Sequence, residues 1–213
     1  MKKLLIIPFL LFGFVSFSQK KAVKKIQIQN HAVNIYTAGL DNLILENSNS
    51  KFVEIYLYAE EYDDQLIEVS KSLKEININF KFKGTQSREI VFRKFITKRL
   101  QRASAIIKVP KTKKVIVFGE NVDIQTKSHQ NNLDIYIDNG IVKLDTIKAN
   151  TLLKFYSGNA YAFLNNTSID VKSNIGKIKV NDILKKVELK KTVFNPKGTL
   201  KISSIKGNIF LKN

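Results

Sequence analysis

The sequence predicts an all-β chain built as a β-solenoid, a stack of short strands turning at glycines. Two observations lead there. Apolar residues recur at every second position through most of the chain, and Gly140, Gly158 and Gly176 stand 18 residues apart with matching flanks. Alternation of β-branched and aromatic residues with polar ones is the pattern of half-buried strands. A short unit that recurs at a fixed period and cannot close a core alone buries its apolar face by stacking on its neighbours. The 213 residues, 44% hydrophobic, suffice for one sizeable core.

The elements follow in chain order. Lys2 and Lys3 precede the apolar run Leu4 to Val15, and Ser16-Phe17-Ser18 places small residues before Gln19. That order of charge, apolar stretch and small residues is a secretory signal peptide over 1–18, with cleavage before Gln19. The run is shorter than the ~20 residues that span a bilayer. No later stretch is apolar enough to span, so the exported chain is expected to be free of transmembrane segments, in the periplasm, on the outer surface or secreted. Losing Lys2 and Lys3 leaves a net charge of +16 out of +18.

Residues 19–109 read as the N-terminal, β-rich part of the same domain. Ile26 and Ile28, Val33 and Ile35, and Leu43-Ile44-Leu45 are short apolar strands, the last ending at Asn47-Ser48-Asn49-Ser50. Val53, Ile55 and Leu57 share one strand face, and Ile76, Ile78, Phe80 and Phe82 share another. Ile90 to Leu100 is a helix candidate, because Phe92, Phe95, Ile96 and Leu100 fall near helical spacing; it reads equally as strand and loop.

Residues 110–213 carry the repeat. Leu133 to Leu144 aligns with Thr151 to Ala162 and with Ile169 to Val180, each as strand, glycine turn, strand. The same step back reaches Val115, and the same step forward reaches Val187. Leu200 to Leu211 has the same internal spacing but falls out of phase after Asn195-Pro196-Lys197-Gly198. Stacked coils over 115–192 would put Ile135, Leu153 and Val171 in one column. The alternative is an antiparallel β-sandwich, which also gives many short strands at close spacing.

Ile106-Ile-Lys-Val-Pro-Lys111, Lys114-Val-Ile-Val and the successive Ser/Asn-Gly-x-hydrophobic-x-hydrophobic units resemble the bacterial putative-adhesin domains of unknown function. The resemblance spans roughly 26–211 and is best at 106–180. It implies an exported β-helical protein at the cell envelope, with a surface-binding or structural role. It carries no catalytic residues.

The chemistry of the sequence is sparse. Cys is absent, which excludes disulfides, thiolate metal sites and Cys nucleophiles. The two histidines, His31 and His129, are too few for a His-based metal centre, and no Gly-x-Ser-x-Gly elbow is present. His129, in Lys127-Ser-His-Gln-Asn-Asn132, reads as an exposed turn. Glu60, Glu61, Asp63, Asp64 and Glu68 lack the spacing of a calcium loop and read as a polar tip between strands. No cofactor or metal is therefore expected. A lyase- or hydrolase-like, carbohydrate-active enzyme on a β-helix is the alternative function, and it needs paired carboxylates on one face. Asp134 and Asp170, two periods apart, are the best such pair, and Leu152 separates them.

Charge is the more informative feature. Arg88, Arg93, Lys94, Lys98, Arg99 and Arg102 lie within 15 residues with one acid, Glu89. Such a cluster suits phosphate or carboxylate groups, with Arg offering bidentate geometry; it also suits a solvated loop. Lys143, Lys154, Lys172, Lys179, Lys190 and Lys201 alternate with apolar residues and should point outward. Phe155, Tyr156, Tyr161 and Phe163 read as core, or as platforms for sugars. Export disfavours a nucleic-acid partner and favours anionic envelope glycans or lipids.

Overall fold

The computed structural model describes residues 20–29, 32–59, 67–81, 103–127 and 129–213. The signal segment, the helix candidate at 90–100, His31 and most of the acidic cluster lie outside the described residues.

Among the described residues there is no helix, and 17 strands form one open, mixed sheet. The first six strands are β1 (Lys20–Gln27), β2 (Ala32–Tyr36), β3 (Asn42–Ser48), β4 (Phe52–Ala59), β5 (Ile67–Lys71) and β6 (Glu75–Phe80). Next come β7 (Ser104–Pro110), β8 (Lys114–Asn121), β9 (Asp123–Lys127) and the long strands β10 (Leu133–Leu144) and β11 (Thr151–Phe163). The last six are β12 (Thr167–Ser173), β13 (Ile178–Val180), β14 (Ile183–Leu184), β15 (Glu188–Lys191), β16 (Gly198–Ser204) and β17 (Asn208–Lys212).

The pairings form two runs. One is β5, β6, β2, β8, the first half of β10, the first half of β11, β16, β12, β15. The other is β1, β4, β7, β3, β9, the second halves of β10 and β11, β17, β13, β14. Strands β10 and β11 belong to both, which joins the runs into one sheet. The interior of each run is mostly parallel and its ends are antiparallel.

Register places like on like. In the first run Val69, Ile78, Ile35, Val117, Ile135, Leu153, Ile202, Val171 and Leu189 form one row across the strands. In the second, Ala22, Leu57, Ala105, Leu43, Ile124, Val142, Ala160, Ile209 and Ile178 do the same. Both rows belong to a single buried cluster, with Val69 and Leu189 partly buried at its ends. Period-2 alternation accounts for this, because one set of side chains faces the core and the other faces solvent.

The two rows meet at a corner where side chains are not admitted. Gly158 has φ +107, and a Cβ built on it would collide with the Gly140 carbonyl oxygen. Gly140, at φ +151, stands in the same relation to the Val122 carbonyl. Only glycine meets both demands at no steric cost. Gly207 and Gly176 continue the line, with the Gly207 carbonyl where a Gly176 Cβ would sit.

The pairing of Leu133 with Thr151 and with Val115 follows the 18-residue spacing. After β11 the order departs from it. Strands β16 and β17 lie between β11 and the pair β12 and β13, so Ile202 separates Leu153 from Val171. The stretch from Val187 does not continue the parallel stack either. It folds back, and Leu189 pairs with Val171 antiparallel. Burial gives the reason. Leu200, Ile202, Ser204, Ile209 and Leu211 are all buried, which suits a layer with neighbours on both sides. In β14 and β15 only Leu189 reaches the core, while Lys190 and Lys191 are exposed, which suits an edge.

His129 is also not where the sequence puts it. It is buried at 7% exposure, under a turn tied down by asparagines. The Asn131 amide donates to the Pro110 carbonyl at 2.7 Å and the Lys113 carbonyl at 2.5 Å. The Asn47 amide donates to Asn131 Oδ1, and Asn47 Oδ1 accepts the Gln130 backbone N–H at 2.7 Å. Polar residues here satisfy backbone groups rather than water. Neither imidazole nitrogen of His129 has a partner among the described residues, and burial pushes its pKa down to about 4.

Because the chain has no cysteine, introduced pairs report strand order directly. Leu152→Cys with Lys201→Cys occupies adjacent register positions and should form a disulfide on mild oxidation. Leu152→Cys with Asp170→Cys, the pair favoured by simple 18-residue stacking, should not, since two strand spacings of ~4.8 Å exceed the reach of a disulfide. Non-reducing gels and mass mapping read the result.

For His129, the folded pKa lies below the ordinary value, so the unfolded chain takes up the proton first as pH falls. Stability should decline between pH 6.5 and 4, by about 3 kcal/mol for the full shift. His129→Phe keeps a ring in place and should show a flatter dependence of urea midpoint on pH across that window. Equal slopes for parent and variant would count against the burial argument.

Candidate functional site

The outward faces of the two runs carry the polar chemistry. Lys143, Lys154, Lys172, Lys190 and Lys201 are exposed and Lys179 is half-buried, as alternation requires. The four aromatics of β11 divide. Phe155 is buried, while Tyr156, Tyr161 and Phe163 point out with 38–51% of their surface exposed. Their alternation therefore does not make them core as a group.

On the second run, Gln125, Lys143, Tyr161, Phe210 and Lys179 form one outward row. Beside it Phe163 pairs with Lys212. Of these, Gln125, Lys143, Tyr161, Phe163, Phe210 and Lys212, with Lys127 and Asp145, line a groove of about 400 Å³. The Tyr161 and Phe210 rings stack at 4.9 Å with 14° between planes. The result is an aromatic platform flanked by Lys127, Lys143 and Lys212, with Asp145 as the acid in the lining. Aromatic surface offers apolar contact to the C–H face of a sugar, and the ammonium groups offer charge-assisted hydrogen bonds to carboxylate or sulfate.

A second groove of about 490 Å³ lies on the first run, lined by Tyr136, Asp138, Lys154, Tyr156, Lys172 and Ser203 among others. Here Lys154 is already engaged. Lys154 sits 5.8 Å from the Tyr136 ring centre, and Lys206 sits 5.2 Å from that of Tyr156. Tyr136 itself continues a stack through Phe118 to Tyr36, at 5.5 and 5.2 Å. A third polar cluster neutralises itself. Glu46 pairs with Lys108 at 3.4 Å and Glu54 with Lys25 at 3.6 Å. The Tyr56 hydroxyl donates to Glu54 at 2.6 Å, which holds the Glu54 carboxyl below its ordinary pKa. The groove on the second run is lined by three lysines, Lys127, Lys143 and Lys212, against Lys154 and Lys172 in the first.

The sequence-predicted anion cluster, Arg88, Arg93, Lys94, Lys98, Arg99 and Arg102, lies outside the described residues. Of the acidic cluster, Glu68 is described and pairs with Lys81 at 2.7 Å. Asp134 and Asp170 share an outward row, but both Leu152 and Lys201 stand between them. Three strand spacings of ~4.8 Å separate them by roughly 14 Å, beyond the span of a glycosidase carboxylate pair. Asp134 instead pairs with Lys114 at 2.7 Å and Asp170 with Lys201 at 4.0 Å. Among the described residues no cluster of three metal-ligating side chains occurs. Lys143 was legible as an outward residue, and Tyr161 and Phe163 as core or platform residues. Phe210 and Lys212 were not, because only the displaced position of β17 brings them beside β11.

No family model and no curated protein matches the chain. The fold does have solved counterparts. A structure from Clostridium sporogenes, described as a "putative cell adhesion protein", superposes with a TM-score of 0.61 at 15% identity, covering 92% of this chain and 99% of that one. A "putative adhesin" from Bacteroides fragilis aligns over 92% of this chain and 98% of its own at 13% identity, with a TM-score of 0.32, too low to bear on the argument. The putative-adhesin resemblance carried by residues 106–180 is thus matched in three dimensions: this chain shares its fold, along nearly its whole length, with a structure described in terms of cell adhesion.

Proposed function

We propose that this is a non-enzymatic, adhesin-like protein of the cell envelope, exported by its signal segment and built as a β-solenoid, that binds acidic glycans along its second outward face. The observation that carries the reading is the platform of Tyr161, Phe163 and Phe210 flanked by Lys127, Lys143 and Lys212. The fold match that bears on the argument, described as a cell adhesion protein, supports the general class. The separation of Asp134 from Asp170 removes the carboxylate pair on which a hydrolase reading would rest. The solenoid reading is supported by rows of inward residues that stay in register across both runs.

Lys143→Gln with Lys212→Gln, and separately Phe163→Ala, alter exposed side chains and should leave folding intact. Each should weaken binding to a uronic-acid polysaccharide at low salt by about tenfold, one well-placed interaction's worth. The lysine variant should also lose much of the salt dependence, since exposed charges are screened beyond roughly 8 Å at physiological ionic strength. Glycan binding equal to that of the parent in both variants would reject this face as the site. Export is tested by intact mass: the envelope-fraction protein should begin at Gln19, and one retaining Met1 would reject cleavage.

A further inference from the structure

The stack ends in a layer that combines exposed apolar side chains with lysines. After β13 the chain reverses through Asn181 and Asp182, both in the left-handed region at φ 48 and 64. Val180 pairs directly with Ile183, so this is a two-residue hairpin of the kind that requires positive φ at both central residues. The returning strand β14 and the edge strand β15 then cover the terminal layer. The Lys185 N–H donates to the Ile178 carbonyl at 2.8 Å, and the Ser173 N–H to the Val187 carbonyl at 2.9 Å. The loop that follows is held as well, with the Val193 N–H on Ser168 Oγ at 3.0 Å and the Lys197 N–H on the Asn166 carbonyl at 2.9 Å.

This tethered layer displays apolar side chains outward. Ile183 is 62% exposed, Leu184 61%, Val187 57% and Phe194 98%. Interleaved with them are Lys185, Lys186, Lys190, Lys191 and Lys197, all exposed, against Asp182 and Glu188. Exposed apolar groups concentrated in one place mark an interaction surface. The charge around them selects its partner. Lysine-rich surroundings repel a second copy of this basic chain and a cationic partner, and they attract an anionic one. A soluble acidic glycan satisfies the ammonium groups but offers no medium for four bare aliphatic and aromatic side chains. An anionic bilayer satisfies both, with acyl chains below and headgroup charge at the level of the lysines.

We infer that the terminal layer, through Ile183, Leu184, Val187 and Phe194 with the lysines around them, is a shallow insertion surface for anionic lipid membranes. It docks the protein by the end of the stack, at a site that borders the glycan-binding face where Leu184 pairs with Lys179, and does not rest on that reading.

The chain contains no tryptophan, so Phe194→Trp installs a single fluorescent reporter at the most exposed of the four apolar positions. Mixed with phosphatidylglycerol-containing vesicles, this variant should show a blue-shifted emission and quenching by lipids brominated in the acyl chain. Pure phosphatidylcholine vesicles should produce little of either. In the otherwise unaltered chain, Ile183→Ser with Leu184→Ser and Phe194→Ser should reduce binding to anionic vesicles by at least about tenfold while keeping the parent thermal transition. Replacing Lys185, Lys186, Lys190 and Lys191 with Gln should remove the preference for anionic lipid. Absence of a blue shift with anionic vesicles, or unchanged vesicle binding in the serine variant, would overturn the proposal. The Lys143→Gln, Lys212→Gln variant should bind vesicles as the parent does; if it alone loses vesicle binding, the glycan-binding face and not the terminal layer contacts lipid, and the proposal fails.

Discussion

The close approach of backbone to backbone at the corner governs the rest of the structure. Two rows of apolar residues can share one core only if the chain turns between them at the same place in successive layers. At that place the carbonyl of one layer occupies the space a Cβ of the next would need, as Gly158 over Gly140 and Gly176 over Gly207 show. A single alanine there would push layers apart and carry the register of both rows with it. The inward positions of the strands, the outward rows of lysines and the grooves between them all inherit their alignment from this line of glycines.

Register then converts sequence spacing into chemistry. A parallel in-register stack multiplies whatever one outward position carries. Where it carries aromatic rings they stack, as Tyr36, Phe118 and Tyr136 do. Where it carries opposite charges they pair across adjacent strands, as Lys108 does with Glu46. Asn208 and Asn159, at paired positions, join amide to amide at 3.0 Å. Like charges would accumulate in the same way, so a chain this basic must interleave its lysines with serine, aromatic and acidic residues along each row. Ser203 between Lys154 and Lys172 is one such spacer. The platform of Tyr161 and Phe210 between Lys143 and Lys179 is another.

Much of this was legible in the residues alone. Inward assignments such as Val53, Ile55 and Leu57, or Ile76 and Ile78, follow from alternation, and the pairing of β10 with β11 follows from the glycine spacing. Strand order beyond β11 was not, because the 18-residue match of Ile169 to Thr151 is as good locally as the match of Leu200 to Thr151. What separates them is the number of inward apolar positions each layer offers to two neighbours, a property of the whole stack. His129 was misplaced because a polar turn normally faces water; Asn47 and Asn131 draw this one inward through backbone hydrogen bonds that no local pattern announces. The groove on the second face was half visible, since Lys143, Tyr161 and Phe163 sit on one strand, whereas Phe210 and Lys212 arrive from the displaced one.

The placement of β16 and β17 inside the stack also sets a problem of timing. A polypeptide emerges from the ribosome in sequence order. When β12 and β13 appear, the strands that flank them in the finished fold have not been made, and β11 presents an open edge at the matching 18-residue offset. The growing chain is thus offered a stack that resembles the final one but is short of a layer. If β12 and β13 pair with that edge first, residues 198–212 must later enter between them and β11. Assembly in sequence order, the simple route available to a repeat array, does not give this strand order, and residues 198–212 decide which of two stacks persists.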